Sequence, residues 1–359
     1  MDQITKKRLD SYLRISSITV VAVYFLILVG GFVRSTGSGM GCPDWPKCFG
    51  SVVPPTDVSQ LPENYQEIYL EKRLAKNERF VATLEKIGLR KSAEKIANDK
   101  SILIEEEFNA TKTWIEYINR LIGVVIGFLI ILTCWRSLSL RKLDVSIPVY
   151  SFLALVVVLF TGWIGSIVVS TNLLAGMITF HMLLAIALVL ILLLGYQRAY
   201  LSLKTVKQSY QAVPSKVMWI LGIAFALMLI QVVLGTQVRE QIDRISFALG
   251  DFLREEWIDR VGISFLIHRS FSLVILAVHL LYLIWALRFS SRKTSIGKWS
   301  LALILVLIME IATGIGMAYF GIPAFLQPIH LLLGCMLLGI QFWLILKLRE
   351  SSSLAINSN

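Results

Sequence analysis

The sequence predicts an all-α polytopic membrane protein of eight transmembrane helices, built as two tandem four-helix bundles related by an axis along the membrane normal. Three observations predict it. The 359 residues are 56% hydrophobic and only 16% charged, with a mean hydropathy of +0.69, too apolar for a soluble domain. Windows long enough to cross a bilayer recur along the chain. The second half also echoes the first. Thr161-Gly162-Trp163-Ile164-Gly165 followed by His181 returns as Thr313-Gly314-Ile315-Gly316 followed by His330, and Asn119-Arg120 returns as His268-Arg269. Three of the four histidines thus fall at repeat-related positions.

Apolar windows place the spans at about 16–34, 118–136, 147–169, 176–196, 217–235, 263–287, 299–320 and 328–347. Helices are required because each backbone amide in lipid needs a partner within its own segment; the alternating short segments of a closed strand barrel are absent. Spans one to four and five to eight run in the same direction, which divides the chain at 1–200 and 201–359 into parallel repeats. The first span lacks a small-residue cleavage site and reads as a retained anchor.

Short basic loops fix the orientation. Lys6, Lys7, Arg8 and Arg14 precede the first span, and Arg136, Arg141 and Lys142 follow the second. Arg198, Lys204, Lys207 and Lys216 follow the fourth, Arg288, Arg292, Lys293 and Lys298 the sixth, and Lys347 and Arg349 the eighth. All lie on one side, so both termini are expected in the cytoplasm. The net charge of +11 is then a topology signal, and no basic and aromatic groove points to nucleic acid. The long outer loop 35–117 starts glycine- and proline-rich and becomes a mixed-charge region in which Phe80, Leu84 and Ile87 have helical spacing. The other outer loop, 236–262, is shorter and slightly acidic.

Asn119, His181, His268 and His330 all sit in the first turns of spans that enter from the outer side. Ionisable groups inside a bilayer are costly and face the bundle interior. Two imidazoles at matched depth, His268 and His330, suit the axial positions of a haem iron, and the glycines of the third and seventh spans would let a flat macrocycle approach the backbone. The alternative is that each histidine only hydrogen-bonds a neighbouring helix and the glycines only pack helices. Zinc fits less well, because no four-ligand cluster is apparent. Arg120 and Arg269 follow the ligand positions, and Arg34 and Arg239 end the first and fifth spans. Guanidinium groups there suit haem propionates, or snorkel to headgroups.

The segment Arg34-Ser35-Thr36-Gly37-Ser38-Gly39-Met40-Gly41-Cys42-Pro43-Asp44-Trp45-Pro46-Lys47-Cys48-Phe49-Gly50 is the most distinctive in the chain. With Glu116-Tyr117-Ile118-Asn119-Arg120, His181, His268-Arg269 and His330, it closely resembles the haem A synthase family, membrane enzymes that oxidise a methyl group of haem O to a formyl group. The resemblance covers all eight spans. It implies a b-type haem cofactor (heme b) held by His268 and His330 in the second half, with Arg269 and Arg239 beside it. The first half would be the site for haem O, with His181 as iron ligand and Arg34 and Arg120 binding the substrate. Glu116 and Asn119 would be catalytic, Glu116 handling a proton or stabilising a cationic intermediate; a plain i,i+4 pair between Glu116 and Arg120 is the other reading. Electrons reaching the first half through the second would drive oxygen-dependent conversion of the methyl to an aldehyde.

The family usually has histidine where this chain has Asn119. His181 is left alone, and a haem there is expected to be five-coordinate or to take water; a decayed site is the competing reading. Cys42 and Cys48 are expected to close a small disulfide loop, structural or redox-active, on the outer side. Cys134 and Cys335 read as packing residues. His279 lies close to three turns from His268 and, like Glu310, has no role assigned beyond packing against a polar neighbour. The implied partners are haem O, an electron donor the sequence does not identify, and haem O synthase or oxidase assembly factors. The implied location is the inner, cytoplasmic membrane. A non-catalytic b-type cytochrome or a haem carrier is the alternative function.

Overall fold

The computed structural model describes residues 2–98, 107–203, 213–249 and 252–356; Lys204 and Lys207 lie outside them. Among the described residues the chain is helical: α1 Gln3–Ser35, α2 Tyr65–Lys86, α3 Arg90–Ala97, α4 Ala110–Leu138, α5 Ser146–Ser170, α6 Ala175–Leu203, α7 Ser215–Leu249, α8 Trp257–Val261, α9 Ile263–Phe289, α10 Ser295–Tyr319 and α11 Leu326–Ile356. Eight of these, α1, α4, α5, α6, α7, α9, α10 and α11, are long and apolar enough to cross a membrane. Side-chain oxygens cap three of them at the start: Asp2 accepts from the Thr5 amide, Asn109 from Lys112 and Thr294 from Gly297, each satisfying an amide with no intrahelical partner.

Several helices outrun their apolar windows. α1 begins well before residue 16, and α7 runs on through most of the stretch expected to be a loop at 236–262, which also contains α8. The reason is local: hydropathy marks only the lipid-embedded part, while Arg239–Asp243 at 2.8 Å and Glu240–Arg244 at 2.6 Å are i,i+4 pairs that continue the helix into polar surroundings. In the first outer segment, Phe80 and Leu84 are buried as their spacing implies, but Ile87 caps the end of α2 and is exposed. The buried face instead includes Tyr69, Arg73 and Asn77. Asn77 donates to the Ser170 carbonyl at 2.6 Å and Lys76 to that of Ser166 at 2.7 Å, so α2 caps the C-terminal end of α5.

In the first half α1 packs on α4 and α6, and α5 on both; in the second α7 packs on α9 and α11, and α10 on both. Each half thus closes a ring of four helices around its own apolar core, one around Ile126, Ile130 and Leu188, the other around Leu221, Leu303 and Leu337. α11 also lies against α1 and α6, and half of its hydrophobic window is buried against at most 28% elsewhere, which puts it at the junction of the halves. Lipid-length helices gain no hydrophobic advantage from meeting each other, so close backbone approach and polar contacts hold them. Thr19 and Thr133 hydroxyls meet at 2.9 Å between α1 and α4, Tyr12 meets Ser151 at 3.0 Å between α1 and α5, and Gln197 donates to the Leu346 carbonyl at 3.1 Å across the halves. Cys335 is buried, Cys134 half-buried, and both are free thiols. His279 is fully buried, with Nδ1 2.7 Å from the Ile275 carbonyl and Nε2 2.8 Å from the Gln341 amide.

At the α1–α11 junction a Cβ on Gly31 would fall 2.9 Å from the Pro328 backbone, whereas one on Gly30 would meet nothing within 4 Å. Gly31→Ala is expected to lower thermal stability in detergent by about 1–3 kcal/mol through overpacking. Gly30→Ala is expected to leave stability unchanged or raise it by up to about 1 kcal/mol, the usual helix preference of alanine over glycine. Equal melting temperatures for the two variants would contradict this packing.

Candidate functional site

The distinctive outer segment is held by three residues on successive turns of α4. Thr113 donates its hydroxyl to the Gly41 carbonyl at 2.8 Å, and Glu116 accepts the Cys42 amide at 2.7 Å. Arg120 donates to the carbonyls of Asp44 at 2.6 Å, Lys47 at 3.0 Å and Cys42 at 2.8 Å, and pairs with the Glu116 carboxylate. The planar fork of guanidinium suits several carbonyls at once. Gly41 is needed because a Cβ there would fall 2.6 Å from the Lys112 carbonyl. Cys42 and Cys48 form a disulfide and are buried, and Phe49 anchors the far end against the rings of Tyr65, Tyr69 and Phe108. Glu116 and Arg120 therefore form the i,i+4 pair, and the same pair clasps the disulfide loop.

The second cluster is the imidazole pair. His268 on α9 and His330 on α11 face each other with ring centroids 6.5 Å apart, their planes inclined at 75°. Two imidazole–metal bonds of about 2 Å each, plus the ring radii, place centroids about 6 Å apart when one metal lies between them. Both rings lie against glycines: a Cβ would come within 3.1 Å of His268 at Gly235 and within 3.3 Å of His330 at Gly314. The Nδ1 atom of His268 is buried without a hydrogen-bond partner, while that of His330 is near Thr313 Oγ1 at 3.0 Å and the Glu310 carbonyl at 3.1 Å. Donor type, separation and glycine clearance all fit an axial pair for haem iron.

His181 on α6 repeats the arrangement, its ring 3.3 Å from the Cβ position of Gly165. Its Nδ1 has the Thr161 carbonyl nearby but no partner of normal hydrogen-bond geometry. These contacts correct the alignment of the halves. The same 149 residues separate Asn119 from His268, Thr161 from Glu310, Gly165 from Gly314 and His181 from His330. The matching Thr-Gly pairs at 161 and 313 are therefore not equivalent, since they are 152 residues apart. At the position of His268 the first half presents Asn119, whose Oδ1 is buried without a partner; the first and fifth spans share a Gly-x-x-Val-Arg run 205 residues apart, in which Gly30 stands for Gly235 and faces open space.

The arginines divide differently. Arg34 of α1 and Arg239 of α7 meet on one carboxylate, Asp243, at 2.7 and 2.8 Å, and so join α1 of the first half to α7 of the second. Asp243 was not singled out in the sequence, although its spacing from Arg239 was visible there. Arg269 lies over the Phe265 ring, 5.5 Å from its centroid.

Eight lipid-length helices define a polytopic membrane protein, and the facing imidazole pair is its candidate site. The chain belongs to the family of cytochrome oxidase assembly proteins, which matches residues 14–85 and 89–342. It is similar to the heme A synthases of Rickettsia africae, 25% identical over 96% of this chain and 99% of that protein, and of Wolbachia pipientis, 23% identical over 93% and 91%. The heme A synthase of Shewanella oneidensis is 26% identical over half of this chain and 43% of its own length.

Arg120→Lys keeps the charge but loses the fork, and charged hydrogen bonds contribute about 1.5–3 kcal/mol each. The Cys42–Cys48 bridge is expected to be reduced and alkylated several-fold faster in this variant than in the wild type. An unchanged reduction rate would show that Arg120 does not hold the loop.

Proposed function

We propose that the protein is a haem A synthase, oxidising a ring methyl of haem O to a formyl group and so supplying haem A to terminal oxidases. The observation that carries this reading is the His268–His330 pair, 6.5 Å between ring centroids, in a chain that belongs to the cytochrome oxidase assembly protein family and aligns with heme A synthases along nearly its whole length. In this reading residues 201–359 hold a b-type haem on His268 and His330, with Arg239 and Arg269 toward its propionates. Residues 1–200 receive haem O at His181, with Arg34 on the same outer side. The resident haem supplies one-electron chemistry when bound.

The remaining steps belong to side chains. Gly165, Gly235 and Gly314 leave room for imidazole rings close to helix backbones, and the apolar spans exclude water. Asp243 orients Arg34 and Arg239 and keeps two cations at the boundary between the sites. Glu116 and Arg120 hold the disulfide loop beside position 119; for Arg120 to grip a propionate, or for Glu116 to handle a proton, one of these loop bonds must be exchanged. Asn119 offers an amide where an imidazole would close the sixth position. The basic residues at the opposite ends of the helices support a cytoplasmic location for both termini in an inner membrane. Haem O synthase and oxidase assembly factors are the natural partners on either side of the reaction.

Pigments extracted from cells lacking the protein are expected to contain haem O and no haem A, and re-expression is expected to restore haem A. Unchanged pigments would favour a b-type cytochrome or a haem carrier. In purified protein, His268→Ala and His330→Ala are each expected to abolish the low-spin b-type spectrum. Asn119→His is expected to make the haem O-loaded first half six-coordinate and low-spin and to lower turnover; identical spectra would contradict the open position at His181.

A further inference from the structure

Glu310 lies near the middle of α10, where an acid is costly in lipid and needs a reason. Its side chain is only 13% exposed, its Oε2 is buried without a hydrogen-bond partner, and that oxygen is 3.3 Å from Nδ1 of His330. Gly334 of α11 leaves space for it: a Cβ there would fall 3.2 Å from Glu310 Oε1. Two acceptors stand at hydrogen-bond distance from His330 Nδ1, the Glu310 carbonyl at 3.1 Å and Thr313 Oγ1 at 3.0 Å, the threonine hydroxyl itself donating to that carbonyl at 2.8 Å, and the Glu310 carboxylate lies beside the same nitrogen at 3.3 Å. The carbonyl and the carboxylate come from one residue. At the other two repeat-related imidazoles no carboxylate stands by the ring: Nδ1 of His268 and of His181 lacks a hydrogen-bond partner, with only the Thr161 carbonyl near the latter, and the residue at the register of Glu310 in the first half is Thr161, 149 residues earlier.

We propose that Glu310 is a positioning residue for His330, fixing the proton on Nδ1, directing Nε2 toward His268 and lowering the midpoint potential of the haem held between them. The inference rests on the haem ligation read above. Acceptors on the outer nitrogen set the tautomer and raise the basicity of a metal-bound imidazole, and a more basic axial ligand favours the oxidised iron. The acid backs one ligand of the second-half pair only, its counterpart in the first half being Thr161.

The test uses the full-length protein as purified with its haem. Wild type, Glu310→Gln and Glu310→Leu are compared by haem-to-protein ratio, redox titration and electron paramagnetic resonance of the low-spin ferric signal. The expected result is an upward shift of the midpoint potential with altered g-values, larger in the leucine variant than in the glutamine variant, which keeps an acceptor of the same shape. Should the leucine variant fail to fold, the glutamine variant decides. Retained haem with unchanged potential and g-values would overturn the role of Glu310 and leave the ligation standing; wild type without a haem spectrum would overturn both.

Discussion

Hydrocarbon offers backbone amides no partner, and every other feature of this molecule follows from that constraint. It forces eight spans into helices, so chemistry can be built only from side chains at matched heights on neighbouring helices. It also removes the hydrophobic reward for helix association, so small residues decide where helices touch. Glycine does this at two kinds of place: Gly31 lets α1 meet α11, and Gly165, Gly235 and Gly314 let α5, α7 and α10 seat an imidazole from a partner helix. The site and the helix packing are therefore made by the same means.

The two rings of four helices are furnished differently. In the second half an imidazole faces an imidazole, with glycine behind each ring and an acid behind His330. In the first half the matching positions are Asn119, His181, Gly30, Gly165 and Thr161, and the disulfide loop is clasped by Glu116 and Arg120, for which the second half has Phe265 and Arg269 at the same register. One half presents two facing imidazoles. The other presents a single imidazole, an amide at position 119 and the clasped disulfide loop. Asp243 ties the two together through Arg34 and Arg239.

The eight spans were legible because lipid thickness sets a length that apolar windows measure directly. Helix ends were not: Arg239, Glu240, Asp243 and Arg244 read as loop by hydropathy but support one another along α7. His181, His268 and His330 stood out because histidines are scarce in this chain, whereas the register between the halves was misread from a short Thr-Gly echo, although the constant 149-residue spacing of Asn119 from His268 and of His181 from His330 was already in the sequence. The grip of Arg120 on three carbonyls was invisible, since those carbonyls lie more than seventy residues away in sequence. Ile87 shows the opposite failure, a helical spacing that continued one residue past the helix.

The most direct test is to locate iron in crystals or particles of the purified protein by anomalous scattering at the iron edge or by high-resolution density. The expected result is iron between the rings of His268 and His330, with each Nε2 within bonding distance. Iron bound elsewhere while those two rings contact only protein or lipid would contradict the account.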